Sequence, residues 1–181
     1  DYDLLTGLYN RRAFYRFAGR LFDRPDKMKH AAVVMMDLDN LKRTNDTFGH
    51  EWGDRYIHEA AVCFLRNIPD GTLCARVSGD EFNILFCGYD SREAVQHAID
   101  RLVSGIENSH FNLPDGQATR IHVSGGIAWY PDDGQDWETL KKYADFAMYQ
   151  VKHADKGRVE EFDIGVYNRE AYACLLYTSD A

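Results

Sequence analysis

The chain has 181 residues, 45% of them apolar and 28% charged, with a formal net charge of −8. That length suits one domain with a full-sized core, and the acidic balance argues against a nucleic-acid backbone as the main partner, because such binding needs a basic surface. No run of roughly 18 or more apolar residues occurs, so no segment reads as a transmembrane helix, and the N-terminus has no basic-then-apolar signal pattern.

Residues 1–9 read as a loop punctuated by Gly7. Asn10 predicts a helix cap, with a helix to about Phe22 that puts Ala13, Phe14, Phe17, Ala18 and Leu21 on one face. Arg24 to Lys29 is polar, contains Pro25 and reads as a connection. Ala31 to Met36 is a short continuous apolar run, the pattern of a central strand buried on both faces. Asn40 to Thr47 predicts a short helix broken near Gly49. The stripe Trp52, Tyr56, Ile57, Ala60, Ala61, Phe64 and Leu65 then predicts a strong amphipathic helix, stopped by Pro69-Asp70-Gly71.

Thr72 to Val77 and Phe82 to Phe86 predict two strands joined at Gly79-Asp80 by a two-residue turn with glycine first. A helix opening at Asp90 or Ser91 follows, then a strand over Ile121 to Trp129 and a helix running from Trp137 to about Val151. Val159 to Phe162 predicts an edge strand. The order α-β-α-α-β-β-α-β-α-β points to an α/β or α+β sandwich, with one mostly antiparallel sheet flanked by helices. The domain is expected over residues 1–165. Residues 166–181 read as a tail outside the fold, and the closing Leu-Leu-Tyr-Thr-Ser-Asp-Ala resembles a translated sequencing-adapter remnant.

Four cysteines lie far apart and form no C-x-x-C pair. Cys63, Cys74 and Cys87 fall within apolar patterns and read as reduced core residues, which suits a cytosolic compartment. Seven histidines show no H-x-x-x-H spacing, so there is no zinc signature.

The chemistry-bearing features are Asp37, at the end of an apolar strand, and Asp80-Glu81, at a tight turn. An acid ending a buried strand is costly unless it is solvated, paired or bound to metal. If the hairpin lies beside the 31–36 strand, three carboxylates crowd one sheet edge, and their mutual repulsion would raise a pKa or recruit a cation. Mg²⁺ takes a few carboxylates plus phosphate oxygens, which describes a nucleotidyl-transfer site. The plainer alternative is that Asp37 caps the following turn and Gly-Asp-Glu is only a hairpin tip.

Asp37-Leu-Asp-Asn-Leu-Lys-Arg-Thr-Asn-Asp-Thr-Phe-Gly-His-Glu-Trp-Gly-Asp54, followed by Arg76-Val-Ser-Gly-Asp-Glu-Phe82, resembles the GGDEF family of diguanylate cyclases. Asp3-Leu-Leu-Thr-Gly-Leu-Tyr-Asn-Arg11, Ser124-Gly-Gly-Ile-Ala128 and Ala144-Asp-Phe-Ala-Met-Tyr-Gln-Val-Lys152 resemble further motifs of that family, in order, over about residues 1 to 162. The resemblance implies a fold similar to the polymerase palm and the adenylyl cyclase core. It also implies condensation of two GTP into cyclic di-GMP and pyrophosphate across a homodimer.

Carried over, Asp37, the Leu38 carbonyl, Asp80 and Glu81 would hold two Mg²⁺, with Mn²⁺ as a substitute. Asp80, Glu81 and Lys42 would be catalytic, with Asp80 as the base for the ribose 3′-OH. The N–H groups of Asn40 and Leu41, with Lys42, would receive the β- and γ-phosphates. Asn45 and Asp54 would read guanine, and a carboxylate at 54 selects GTP over ATP. His50 would line the nucleotide pocket. Lys152 and Lys156, four apart and expected on one helix face, would touch phosphates, with Arg158 as the alternative to Lys156. Each has a plainer alternative: an exposed helix lysine at 42, a helix N-terminal acid at 54, a turn histidine at 50, and a C-terminal helix turn at 152–156.

Two departures stand out. Ser78 replaces the first glycine of the signature and would cost about 1–2 kcal/mol if the backbone there needed positive φ. Pro69 and Thr72 stand where the family's Arg-x-x-Asp product-inhibition site lies, so no feedback through that site is expected. The resemblance places the domain in the cytoplasm, without membrane contact of its own, with a sensory or transmembrane region outside these residues. Two rivals are a GTP-binding regulatory domain made weak or silent by Ser78, and another palm-like nucleotidyl transferase that accepts ATP as well as GTP.

Overall fold

Strand β2 (His30–Leu38) is buried at every position after the first. An extended chain can hide both faces only in the middle of a sheet with cover above and below. The computed structural model, which describes residues 1–179, shows that arrangement. β2 pairs antiparallel with β4 (Glu81–Tyr89) on one side and with β7 (Val123–Tyr130) on the other. Outside β4 lies β3 (Leu73–Arg76), antiparallel, followed by the two-residue β1 (Tyr9–Asn10), parallel. β8 (Val159–Glu161) adds a parallel edge beyond β7. The sheet is therefore mostly antiparallel and its strand order is β1-β3-β4-β2-β7-β8.

Alternation along β2 sorts the core into two layers. Ala32, Val34, Met36 and Leu38 pack with Tyr56, Ala60 and Phe64 of α4 (His50–Arg66) and with Val95, Ile99 and Leu102 of α5 (Arg92–Glu107). Ala31, Val33 and Met35 pack on the opposite face with Phe14 and Ala18 of α1 (Arg11–Phe22) and with Leu140, Ala144 and Met148 of α6 (Trp137–Lys152). The α/β sandwich predicted from the sequence is the observed fold.

The helix starts follow their caps. Asn10 accepts from the Ala13 N–H at 2.9 Å, and Ser91 accepts from Ala94 N–H at 3.1 Å. Asp136 caps α6 by accepting from Thr139 N–H at 2.8 Å. The short helix α3 (Leu41–Phe48) and α4 are separated by Gly49 alone, whose φ of 94° is a conformation that favours glycine.

Several details differ from expectation. Pro25–Met28 forms a four-residue helix, α2, in the predicted connection, because proline suits a first helical position. A small hairpin, β5 (Phe111–Asn112) with β6 (Ala118–Thr119), has strands too short to leave a period in the sequence. The predicted tail contains α7 (Ile164–Ser179). Its Tyr167 ring lies 5.0 Å from Phe146 and 5.2 Å from Tyr143, so aromatic packing anchors its first turn. The end of the adapter-like segment, Asp180 and Ala181, lies outside the described residues.

The β3–β4 turn also needs correction. Val77 N–H donates to the Glu81 carbonyl at 2.9 Å, which closes a three-residue loop, Ser78-Gly79-Asp80, instead of a two-residue turn. Neither Ser78 nor Gly79 has positive φ among the described residues. The backbone cost expected of a serine at position 78 therefore does not arise. Arg76 shapes the loop: its Nε and Nη2 donate to the Gly79 carbonyl at 3.1 and 3.0 Å, and its Nη1 donates to Asp3 at 3.1 Å.

Helix α6 reaches the sheet because of Gly126. A Cβ there would stand 2.2 Å from the Ala144 carbonyl oxygen and 2.4 Å from the Met148 nitrogen, both backbone atoms. Neither can yield without moving the helix. Gly126→Ala is expected to cost about 1–3 kcal/mol or more, the usual penalty of overpacking. Denaturant unfolding of the two proteins measures it, and an unchanged midpoint contradicts the packing described.

Candidate active site

The register of β2 brings the site together. Asp37 is paired with Glu81 on β4 and, on its other side, with Ser124 on β7. Residues directly opposite in a ladder point to the same face, here the face covered by α1 and α6. The next residue ties in the loop: Leu38 N–H donates to the Asp80 carbonyl at 2.8 Å. The loop at 78–80 is thus fixed to the end of β2, and Asp37, Asp80 and Glu81 meet at one sheet edge.

The cluster is electrostatically uncomfortable. Asp37 is 7% exposed, and burial raises its pKa, with Asp80 and Asp145 adding to the rise against the opposing Lys152. Burial also raises Glu81, and the neighbouring carboxylates of Asp37, Asp145 and Asp80 push the same way. Lys152, the last residue of α6, donates to Asp37 Oδ2. Partial burial works against the ammonium charge, but the carboxylates of Asp37, Asp80 and Asp39 outweigh it and raise the Lys152 pKa.

The donor set fits a divalent cation shared with a ligand. Asp37 Oδ1 is buried and has no hydrogen-bond partner. Oxygen lone pairs left unsatisfied in a low-dielectric site attract a cation. Among the described residues, no three His, Cys, Asp or Glu side chains form a ready-made metal cage. A divalent cation held by only one or two carboxylates completes its shell with waters and ligand phosphates.

Three residues on from Asp37 lies the turn into α3. Asn40 is left-handed (φ 69°) and precedes α3 without capping it through its side chain. The first N–H groups of α3 have no intrahelical acceptor, and Asn40 and Lys42 are exposed beside them. Asn45, one turn on, lies against Gly53, where a Cβ would fall 1.7 Å from its Oδ1. That Oδ1 is buried without a partner. Exposed Asp54 follows Gly53 and lines a cavity of about 640 Å³ with Leu5, Trp52, Arg55, His58 and Phe111. His50 opens α4, is exposed, and is not part of that cavity's wall.

Lys156 is not where helical spacing predicted it. α6 ends at Lys152, so Lys156 stands in the following loop, exposed, and the shared helix face does not exist. Arg158 is engaged with Glu160 at 3.3 Å. Ser78 is exposed and lines a second cavity of about 400 Å³, with Glu81, Arg11, Tyr15, Lys141 and Asp145.

Four participants escaped sequence reasoning. Asp145 adds negative charge to the site from α6, and its seven-residue spacing from Lys152 puts both on one helix face, a signal that was available. Asp39 and Ser124 pair across the sheet, with Ser124 Oγ 2.9 and 2.8 Å from the two Asp39 carboxylate oxygens. Tyr56, whose pKa burial pushes up to about 12, donates its hydroxyl to the Asp39 carbonyl at 2.9 Å. Nothing in the local sequence pairs residues 39, 56 and 124.

Comparison with known proteins identifies the family. The family model for the diguanylate cyclase GGDEF domain matches residues 1–158. The chain belongs to the GGDEF family. It is 33% identical over 162 residues to the cyclic di-GMP phosphodiesterase NbdA of Pseudomonas aeruginosa, covering 89% of this chain and 20% of that protein. It is 30% identical over 166 residues to the probable diguanylate cyclase DgcE of Escherichia coli, covering 90% of this chain and 15% of that one. The solved GGDEF domain of TpbB (also called YfiN) from Pseudomonas aeruginosa superposes with a TM-score of 0.81 at 28% identity, over 90% of this chain and 95% of that one. The chain spans less than half the length of the curated relatives it matches. Among the described residues no helix is long and apolar enough to cross a membrane.

The raised Glu81 pKa has a consequence for stability in metal-free buffer. A carboxyl whose folded pKa lies above its ordinary value favours the fold while protonated and loses that contribution as pH rises through the folded value. Glu81→Gln, which cannot ionise, is therefore expected to raise the melting temperature near pH 7. The gain should shrink as pH falls toward the ordinary carboxylate range of about 4. Thermal unfolding across that range tests it, and a gain that grows on acidification refutes the assignment.

Proposed function

We propose that the GGDEF domain of this chain is a diguanylate cyclase domain, which condenses two GTP into cyclic di-GMP with release of pyrophosphate, each subunit of a homodimer supplying one GTP. The observation that carries this is the register of Asp37 opposite Glu81, with Asp80 bonded through its carbonyl to Leu38. It gathers carboxylates beside a helix start that is free to take phosphate.

In this reading Asp80 accepts the proton of the ribose 3′-OH. The 3′-oxygen attacks the α-phosphorus in line, and the bond to the β-phosphate breaks as pyrophosphate leaves. Asp37, Glu81, the Leu38 carbonyl and Asp80 would hold Mg²⁺ or Mn²⁺, two ions per site. When bound, the metal supplies Lewis-acid polarisation of the phosphate and eases loss of the hydroxyl proton. The N–H groups of Asn40 and Leu41, with Lys42, take the β- and γ-phosphates. Lys152 stands close enough to add charge from the other side, and Lys156, free in its loop, is available to them. Asp54 accepts from guanine N1–H and N2–H₂ and Asn45 reads the same base, with His50 at the pocket's rim.

Free thiols at Cys63, Cys74 and Cys87 and a GTP-consuming reaction both fit a cytoplasmic domain. The ordinary backbone at Ser78 weighs against the rival reading of a domain silenced by that serine.

Incubation with GTP and Mg²⁺ at several protein concentrations is expected to yield cyclic di-GMP, with the rate per subunit rising as subunits associate. Asp80→Ala should reduce turnover about 100-fold or more, as loss of a positioned base does. Ser78→Gly should leave turnover essentially unchanged. Recovery of activity only in Ser78→Gly would favour the regulatory reading, and equal use of ATP would contradict the role of Asp54.

A further inference from the structure

The reaction proposed above needs two stretches of chain to grip one triphosphate: the turn at Asn40–Lys42 and the connection after α6 that carries Lys156. They are far apart in sequence and belong to different elements. Both are tied to one buried hydroxyl. Ser124 on β7 is fully buried. Its Oγ donates to the Asp39 carboxylate, at 2.8 and 2.9 Å from the two oxygens. The same Oγ accepts from Gly157 N–H at 3.1 Å. A hydroxyl has one proton to give and lone pairs to receive, and here both capacities are used, one toward each stretch.

Asp39 is held by two further hydrogen bonds. Its N–H donates to the His122 carbonyl at 2.8 Å. Its carbonyl accepts the Tyr56 hydroxyl at 2.9 Å, and that hydroxyl accepts from His122 N–H at 3.0 Å. The residue before the left-handed Asn40 is thus fixed through backbone and side chain by β7 and α4. On the other arm, Gly157 is next to Lys156 and has φ 89°. Its N–H is therefore directed by a turn that favours glycine. Both oxygens of the Asp39 carboxylate lie within hydrogen-bond distance of Ser124 Oγ, which fixes the orientation of its side chain.

We propose that Asp39 and Ser124 form a positioning pair that fixes the distance between the two phosphate-gripping stretches. The pair thereby sets how much tighter the site holds a guanosine triphosphate than a guanosine monophosphate. This rests on the function proposed above and adds the residues that tune it. Asp39→Ala and Ser124→Ala each break the link. Asp39→Asn keeps an oxygen that accepts the Ser124 proton, so it preserves the link while removing the charge.

The test is equilibrium binding of 3′-deoxy-GTP, which lacks the attacking hydroxyl, and of GMP, both with Mg²⁺ and the full chain. Wild type is expected to prefer the triphosphate. Asp39→Ala and Ser124→Ala are expected to lose about 10- to 100-fold in triphosphate affinity, the worth of a hydrogen bond to a charged group. Their GMP affinity should stay at the wild-type level, and Asp39→Asn should retain most of the preference. Equal losses for both nucleotides would make the pair merely structural and overturn the proposal, as would unaltered binding in both alanine variants. An Asp39→Asn loss as large as that of Asp39→Ala would also overturn it, by assigning Asp39 a role through its charge. A wild-type chain that binds neither nucleotide overturns the proposed function and this inference with it.

Discussion

The antiparallel ladder around β2 is the constraint on which the site depends. Because facing residues in such a ladder share a side of the sheet, the pairing of Asp37 with Glu81 and with Ser124 is decided as soon as Val33, Val34, Met35 and Met36 find their partners. A shift of one residue would turn Asp37 into the layer under α4 and α5 and expose the apolar set that belongs there. Core packing therefore positions the acids, and the acids contribute strain to the core rather than stability. Their raised pKa values record it.

Lys152 mitigates that strain. A lysine at the last position of α6 suits the negative end of the helix dipole, and Gly126 lets the helix lie close enough for the side chain to reach Asp37. Sheet register, helix approach and charge balance are thus linked. The helix that completes the core on one face also delivers the cation and, through Asp145, another acid.

Much of this was legible in the sequence, for identifiable reasons. The continuous apolar run at 31–36 is short and rich in valine, which favours a central strand, and Asn10 marks a helix start as its side chain dictates. The acids at 37, 80 and 81 were legible because carboxylates beside strand ends are costly and so carry information. What escaped was set by tertiary structure. The three-residue loop at 78–80 depends on the grip of Arg76 on the Gly79 carbonyl, a contact that a rule for two-residue turns does not contain. Lys156 was placed on a helix by spacing alone, although the helix ends at Lys152. Asp39, Tyr56 and Ser124 come from three separate elements, and their hydrogen bonds leave no local pattern. The first turn of α7 is held by Tyr167 against aromatic rings from α6 and the end of β8, so periodicity within the segment could not reveal it.

The bond between Leu38 N–H and the Asp80 carbonyl is made entirely by main-chain atoms. Position 80 can exchange its side chain without releasing the loop, so architecture and chemistry are separable at that point. A change of side chain at position 80 would remove one carboxylate from the cluster while leaving the loop that presents it. Any substitution that keeps the main-chain bond can thus change the charge of the cluster without altering how the loop is held.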